Sequence, residues 1–275
     1  MRLSRRHPRY HSLVVRAQLA EAARSGLVVA EGLIAHGRGE TFDYLLGERT
    51  IPSARRAERA AAEWLLAARR PVLSVNGNVA ALAAEAVARL ARAVPGLGVE
   101  VNLFHRSPAR ARAVARALRR AGVRHVLGLS PTARIPGLPS DRARVDARGI
   151  AVADVCLVPL EDGDRTAALR ARGQRVIAID LNPLSRTSRT ADLPIVDELT
   201  RALGRIAVEA HRLRARAVRP RLRPFGAAAA LADAYATIQR RLTAAAGARP
   251  RPSRRRGRAS TRSARGRPGR SRRTP

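Results

Sequence analysis

The sequence predicts an α/β protein built on a parallel sheet covered on both faces, and three observations lead there. Between Pro71 and Asp197, short β-type runs alternate with Ala-rich runs whose apolar residues recur at helical spacing. The β-type runs are continuously apolar, as in strands that are buried on both sides and separated by helices. With 275 residues, the chain can bury roughly three quarters of its unfolded surface in one large domain.

In order, Val72–Val75 reads as a strand and Val79–Ala93 as a helix. Val99–Phe104 is the next strand, followed by a helix opening near Pro108, a residue suited to a first turn. His125–Leu127 is a short strand. Val155–Val158, Val176–Ile179 and Leu193–Val196 follow, with a helix from about Arg165 to Arg172 between the first two. Ahead of this core lie a helix over Ser12–Ser25 closed by Gly26, a Gly-rich turn over Gly32–Gly47, and a helix over Ala54–Arg69. After it, a helix runs from near Glu198 to about Arg216, Pro220 and Pro224 interrupt the chain, and Ala227–Ala246 forms one more helix. The expected organisation is an α/β domain with its N-terminal helical segment over residues 1–216, a linker and C-terminal helix over 217–247, and a disordered Arg-rich tail over 248–275.

The net charge of +33 suggests a nucleic-acid binder until it is divided along the chain. Residues 1–210 hold 34 Arg against 20 acids, a balance of +14, whereas residues 211–275 hold 20 Arg against Asp233 alone, a balance of +19. Every one of the 54 basic residues is Arg. The absence of Lys excludes a P-loop lysine, a Schiff-base lysine and a lysine-dependent adenylation step. Aromatic residues for base stacking are scarce, with one Trp, three Phe and three Tyr. The single cysteine, Cys156, lies in an apolar run and reads as buried and unreactive. No apolar run reaches the roughly 18 residues of a membrane span. The Arg- and His-rich start has no apolar h-region, so no secretion signal is expected and the protein reads as cytoplasmic. A CxxC spacing is missing, which speaks against structural zinc, and so is the GxSxG elbow of a serine hydrolase.

In open parallel sheets, ligands bind outside the carboxyl ends of the strands. Asn76, Gly77 and Asn78 follow the first strand; Gly77 permits a tight turn, Asn78 is a good N-cap, and the free N–H groups of the helix start suit a phosphate or carboxylate. The same segment also reads as an ordinary strand-to-helix turn. Glu161, Asp162 and Asp164 repel one another unless a cation or an Arg relieves them; Mg²⁺ carried in by a nucleotide would do so. Otherwise they form a solvated loop in which Asp164 caps the next helix. Asp180, Leu181 and Asn182, followed by Arg186 and Thr187, place an acid at a strand's carboxyl end, where it can accept from a ribose hydroxyl. A permanent cation and a hydroxyl for phosphate oxygens come next. The segment Gly32–Glu40 lacks the spacing of a dinucleotide fingerprint or a P-loop; His36 and Arg38 around Gly37 face an anion or serve structure.

Laid out together, HPRYHSL (7–13), GLIAHGRGETFDYLLGE (32–48), SVNGNVAAL (74–82), EVNLFHR (100–106), RIPGL (134–138), LVPLEDGDRTAAL (157–169) and VIAIDLNPLSRTSR (176–189) resemble the archaeal phosphopantothenate synthetases, the 4-phosphopantoate–β-alanine ligases. The likeness runs in order from residue 7 to about residue 205 and leaves the tail outside. It implies a Rossmann-like homodimer that joins 4-phosphopantoate to β-alanine, cleaving ATP to AMP and pyrophosphate, with Mg²⁺. Carried over by motif, Arg16, Arg38, Asp180, Leu181, Asn182, Arg186 and Thr187 bind ATP. The next nucleotide contact falls at Glu198 and Leu199, where the family's IVDN reads IVDE, losing a donor and adding negative charge. Arg38, Arg186 and His36 are then the expected catalytic group. Asn76, Gly77 and Asn78 are expected at the phosphopantoate, and Glu161, Asp162 or Asp164 at Mg²⁺ or the amine. Two other readings compete: a nucleic-acid binder using nonspecific polyanion contact through the tail, and another nucleotide-dependent enzyme on the same scaffold.

Overall fold

The computed structural model describes residues 4–7, 9–216 and 220–247, so the tail expected over 248–275 lies outside the described residues. Three helices come first: α1 (Tyr10–Arg24), α2 (Ala30–Leu46) and α3 (Pro52–Ala67). Then β1 (Pro71–Val75), α4 (Gly77–Ala93), β2 (Gly98–Val101) and α5 (Pro108–Arg120) alternate. A small antiparallel hairpin, β3 (Ala133–Arg134) with β4 (Arg144–Val145), precedes β5 (Val155–Pro159), α6 (Gly163–Ala171) and β6 (Arg175–Ile179). The short α7 (Arg186–Thr190), β7 (Leu193–Ile195), α8 (Leu199–Ala215) and α9 (Ala227–Gly247) complete the described elements.

The five long strands form one parallel sheet in the order β2-β1-β5-β6-β7. From β1 the chain moves out to the edge at β2 and then crosses back to β5 on the other side of β1. The winding therefore reverses between β1 and β5, and the crevice above their carboxyl ends is where doubly wound sheets take ligands. Side-chain alternation sends Leu73, Val75, Leu157, Ile179 and Ile195 to one face, under α3, α4, α5 and α8. Val72, Cys156, Val158, Val176 and Ala178 point to the other, where they meet Leu169 of α6 and Ile135, Val145 and Ile150 of the irregular segment before β5. Burial on both faces is why these runs carry no polar alternation. It also pushes the Cys156 thiol up to about 12, which keeps it protonated and inert.

The structure revises several expectations. The Gly-rich stretch 32–47 is not a turn but most of α2, which ends at Gly47 with φ 94°. Glycine weakens a helix, but here it allows close packing: a Cβ on Gly32 would collide with the carboxamide oxygen of Asn78. The N-cap of α4 is Asn76, whose Oδ1 accepts from Val79 N at 3.1 Å, and not Asn78. Likewise Asp162, not Asp164, caps α6, accepting from Arg165 N at 2.7 Å. The strand expected over Val99–Phe104 stops at Val101, and His125–Leu127 reduces to one bridge between Leu127 and Glu100. The two-residue strands of the hairpin are too short to leave a periodic signal.

The C-terminal helix is bound into the domain. Leu231 and Ala234 of α9 share a cluster with Leu46, Ile51, Leu181 and Val196, and Tyr235 donates to Pro183 O at 2.9 Å. The linker ahead of it is anchored where Trp64 Nε1 donates to Arg223 O at 2.8 Å. Among the described residues no helix is long and apolar enough to cross a membrane.

Candidate active site

Two adjoining cavities of about 370 Å³ each open above the carboxyl edge of the sheet. The first is lined by His36, Arg38, Asp180–Asn182, Arg186, Thr187 and the Asp197–Leu199 turn. The second lies over Asn76–Asn78 and reaches Leu103–His105, Arg110 and Arg142. Arg38, Ala35 and the Leu160–Asp162 loop belong to both walls.

Local chemistry sets each wall. Asp180 ends β6 and folds the chain back on itself: its Oδ1 accepts from Asn182 N at 2.9 Å, and Asn182 Oδ1 accepts from Leu184 N at 2.9 Å. Burial raises the Asp180 pKa above the usual carboxylate range, opposed by Ser185, the Asn182 N–H and the charge of Arg38. The Ser185 hydroxyl caps α7 and so presents Arg186 at its first turn. Leu181 turns into the cluster with Leu231, fixing the loop from below. The Thr187 hydroxyl donates to Glu161 O at 2.7 Å, so it ties two loops together and is not free for a phosphate oxygen.

Arg38 is exposed and, among the described residues, pairs with no carboxylate. Two turns of packing hold it there, because α2 is locked to α8 by Arg201, which reaches Asp43 Oδ1 at 2.5 Å and Asp197 Oδ1 at 2.7 Å. His36 is half-buried beside it, and burial lowers its pKa, so the imidazole is neutral at neutral pH. Arg16 does not reach these cavities. Its guanidinium lies along Glu40, with Nη2 2.8 Å from Oε2, and faces a separate groove with Leu33 and Tyr44.

The three clustered acids are relieved by arginines. Glu161 is buried between Arg142, at 2.7 Å, and Arg165, whose contact with it is closer still; Arg165 also donates to Ser74 Oγ at 3.1 Å. Asp164 meets Arg186 at 2.5 Å in a pair that is about two thirds exposed on both sides. Asp162 caps α6 with one oxygen and leaves Oδ2 buried without a hydrogen-bond partner, 3.4 Å from Arg142 Nε. Among the described residues no three His, Cys, Asp or Glu converge as a metal centre. Both asparagines spend their amides on the backbone: Asn76 Nδ2 donates to Pro159 O at 3.0 Å and Asn78 Nδ2 to Gly32 O at 2.8 Å. They shape the second cavity by tying β1 to β5 and α4 to α2.

Residues 53–241 match the family described as phosphopantothenate/pantothenate synthetase. The chain belongs to that family. It is 53% identical over 207 residues to a 4-phosphopantoate--beta-alanine ligase of Thermococcus onnurineus, covering 75% of this chain and 79% of the relative. Proteins of the same name from Methanosarcina mazei and Methanospirillum hungatei are 54% and 55% identical over 201 residues, 73% of this chain and 79% and 82% of theirs.

For a phosphopantothenate synthetase, the IVDE variation has a structural explanation. Glu198 is the N-cap of α8, where its Oε2 accepts from Thr200 N at 2.9 Å, Arg201 N at 3.0 Å and Thr200 Oγ1 at 2.5 Å. Burial alone would raise its pKa; those donors, with His11 at 3.8 Å, bring it down to about 2. The helix N-terminus absorbs the extra charge, and Leu199 begins the helix at the cavity wall. Sequence reasoning missed Arg110 and Arg142 in the cavity walls, and Arg165 and Arg201, which pair with acids around them. In a chain whose basic residues are all Arg, no local pattern separates these four from the rest.

Proposed function

We propose that this protein is an ATP-dependent, AMP-forming 4-phosphopantoate–β-alanine ligase, making 4′-phosphopantothenate for coenzyme A synthesis. The observation that carries the reading is the pair of cavities meeting at Arg38, a cation that pairs with no carboxylate among the described residues. In this reading ATP occupies the first cavity and phosphopantoate the second. The acid's carboxylate oxygen forms a bond to the α-phosphorus while the bond to pyrophosphate breaks. The amine of β-alanine then attacks the acyl carbon and AMP leaves with the electron pair of the C–O bond.

The residues suit those steps. Arg38 stands where the two ligands would meet and can neutralise charge as it builds at phosphorus. The exposed Arg186–Asp164 pair costs little to open, since such surface pairs contribute about 0–1 kcal/mol. Arg186 would turn to the triphosphate, and Asp164 would join the phosphate oxygens around Mg²⁺. The donor set fits an ion brought in on a nucleotide rather than a preformed centre, and such an ion would neutralise the departing pyrophosphate. Asp162, raised in pKa by burial and by Glu161, lines both cavities; its second oxygen is buried 3.4 Å from Arg142 Nε and would have to turn outward to take the proton that the amine loses. Neutral His36 adds a hydrogen-bonding group beside Arg38, and Arg16 would have to leave Glu40 to reach the nucleotide. No covalent enzyme intermediate is needed, so the lack of Lys and the inert Cys156 are no handicap. Catalysis here is positioning of two anions together with charge neutralisation.

Family membership also supports a homodimer, and the small charged substrates suit the cytoplasm. The test is to incubate the purified protein with 4-phosphopantoate, β-alanine, ATP and Mg²⁺ and analyse the products by mass spectrometry. The expected result is 4′-phosphopantothenate with one AMP per amide bond. ADP in place of AMP, or no amide, would sink the proposal.

A further inference from the structure

The loop that joins Asp180 to Arg186 along the wall of the first cavity is shaped by its own residues. Asp180 and Asn182 each accept from the N–H two residues on, and Asn182 O accepts from Ser185 N at 3.1 Å and Ser188 Oγ at 2.9 Å. These bonds fold the loop but do not fasten it to the rest of the protein. Its inner half is fastened by Leu181, buried against Leu231 of α9. Its outer half has no such anchor, because the Leu184 side chain is 60% exposed. There the attachment is a single hydrogen bond, from the Tyr235 hydroxyl of α9 to Pro183 O at 2.9 Å. Among the described residues, Tyr235 is the only one outside 180–190 that hydrogen-bonds to residues 181–185. Proline has no N–H, so this carbonyl is the one backbone polar group of a buried residue, and leaving it without a donor is costly.

Tyr235 reaches the loop from a fixed base. Next to it Ala234 is fully buried, and Asp233 Oδ2 accepts from Ser53 N, in the first turn of α3, at 3.2 Å. Two turns on, the Arg241 guanidinium covers Gly47 at the end of α2, where a Cβ would fall 2.8 Å from Nη1. Helix α9 therefore rests on α2, which carries Arg38, and holds the loop that leads to Arg186. The Tyr235 side chain lines neither cavity, so any effect it has on a ligand passes through Pro183.

We propose that Tyr235 is a positioning residue for the nucleotide: by holding the Pro183 carbonyl it fixes the separation of Asp180 and Arg186, and it makes α9 a working part of the nucleotide site. The assignment rests on the ligase reading above for the identity of that nucleotide. Without the hydroxyl, the Pro183–Leu184 peptide is free to rotate. The start of α7 then shares its orientations between those that present Arg186 to the triphosphate and those that do not, which weakens binding by the fraction lost.

The experiment compares the wild type with Tyr235→Phe, which keeps the ring and removes only the hydrogen bond. Steady-state kinetics should show KM for ATP raised about 5-fold, the equivalent of one ordinary hydrogen bond. KM for phosphopantoate and for β-alanine should stay within about 2-fold, and kcat at saturating ATP within about 3-fold. Hydrogen–deuterium exchange should be faster over residues 181–188 and unchanged in the strands, a local change that general destabilisation would not give. Adding ATP and Mg²⁺ should slow that exchange in both proteins, with the variant needing about 5-fold more ATP for the same protection. An unchanged KM for ATP, equal rises for all three substrates, or faster exchange across the whole sheet overturns the assignment. A wild type that makes no amide overturns the ligase reading instead, and the ATP dependence of the exchange still decides the role of Tyr235.

Discussion

Arg186 lies directly over Gly163: a Cβ built on that glycine would fall 2.5 Å from Arg186 Cγ and 2.6 Å from its Cβ. The first residue of α6 thus clears the space in which the first arginine of α7 packs. A Cβ so close to Arg186 Cβ and Cγ forces the start of α7 to shift, so Gly163→Ala should cost about 1–3 kcal/mol of stability while displacing Arg186. We expect KM for ATP to rise about 10-fold, the cost of roughly one charge-assisted contact. Unchanged ATP kinetics would remove Arg186 from the nucleotide site.

Arg38→Ala and Arg186→Ala should each lower turnover by 100-fold or more, on the order of a lost charge-stabilising donor. Their far-ultraviolet circular dichroism and Tm should stay near wild type, because Arg38 is exposed and, among the described residues, Arg186 pairs only with the exposed Asp164. Near-normal rates in both variants would dissolve the proposed meeting point of the ligands.

Glu198 carries a stability prediction. A carboxylate held at about 2 in the folded state, against 4.5 in its unfolded reference, contributes stability that is present above pH 4.5 and is lost as pH falls toward 2. Glu198→Ala should cost on the order of 1 kcal/mol at pH 7 through the missing cap, and less at pH 3. Glu198→Asn should keep the fold because Asn caps a helix equally well. Urea denaturation at both pH values measures the differences.

Glu58 works in the opposite direction. It is buried against Asp197, and burial followed by that neighbour pushes its pKa up to about 9. Its proton is retained on folding, so stability from this group is full below pH 4.5 and declines as pH rises toward 9. Glu58→Gln keeps a donor toward Asp197 without needing that proton. Its stability relative to wild type should therefore be greater at pH 8.5 than at pH 5, by about 1 kcal/mol or more. A pH-independent difference between the two proteins would show that the carboxyl is not protonated in the fold.

Much of the fold was legible because burial on both faces writes itself into composition. A strand such as Val176–Ile179 can contain only apolar residues, and the helices around it show their buried stripes. The loop from Asp180 to Thr187 was legible as well, since its polar residues follow a strand end. What misled was chemistry that depends on a distant partner. Gly32–Gly47 looks like a turn unless Asn78 is known to press against Gly32, and Thr187 looks like a phosphate ligand unless Glu161 O is known to take its hydroxyl. The neutralisation of Glu161 was not legible, because Arg142, which pairs with it, comes from a hairpin with no periodic signature.

By itself, then, the sequence determined the layered parallel sheet, the exclusion of lysine chemistry and the family likeness carried by its motifs. Those depend on local patterning, which any stretch of chain displays without reference to the rest. Only the tertiary structure decided which of many identical guanidinium groups face ligands and which are consumed. That outcome depends on distance and desolvation: Arg165 is spent on Glu161, Arg201 on Asp43 and Asp197, while Arg38 is left exposed.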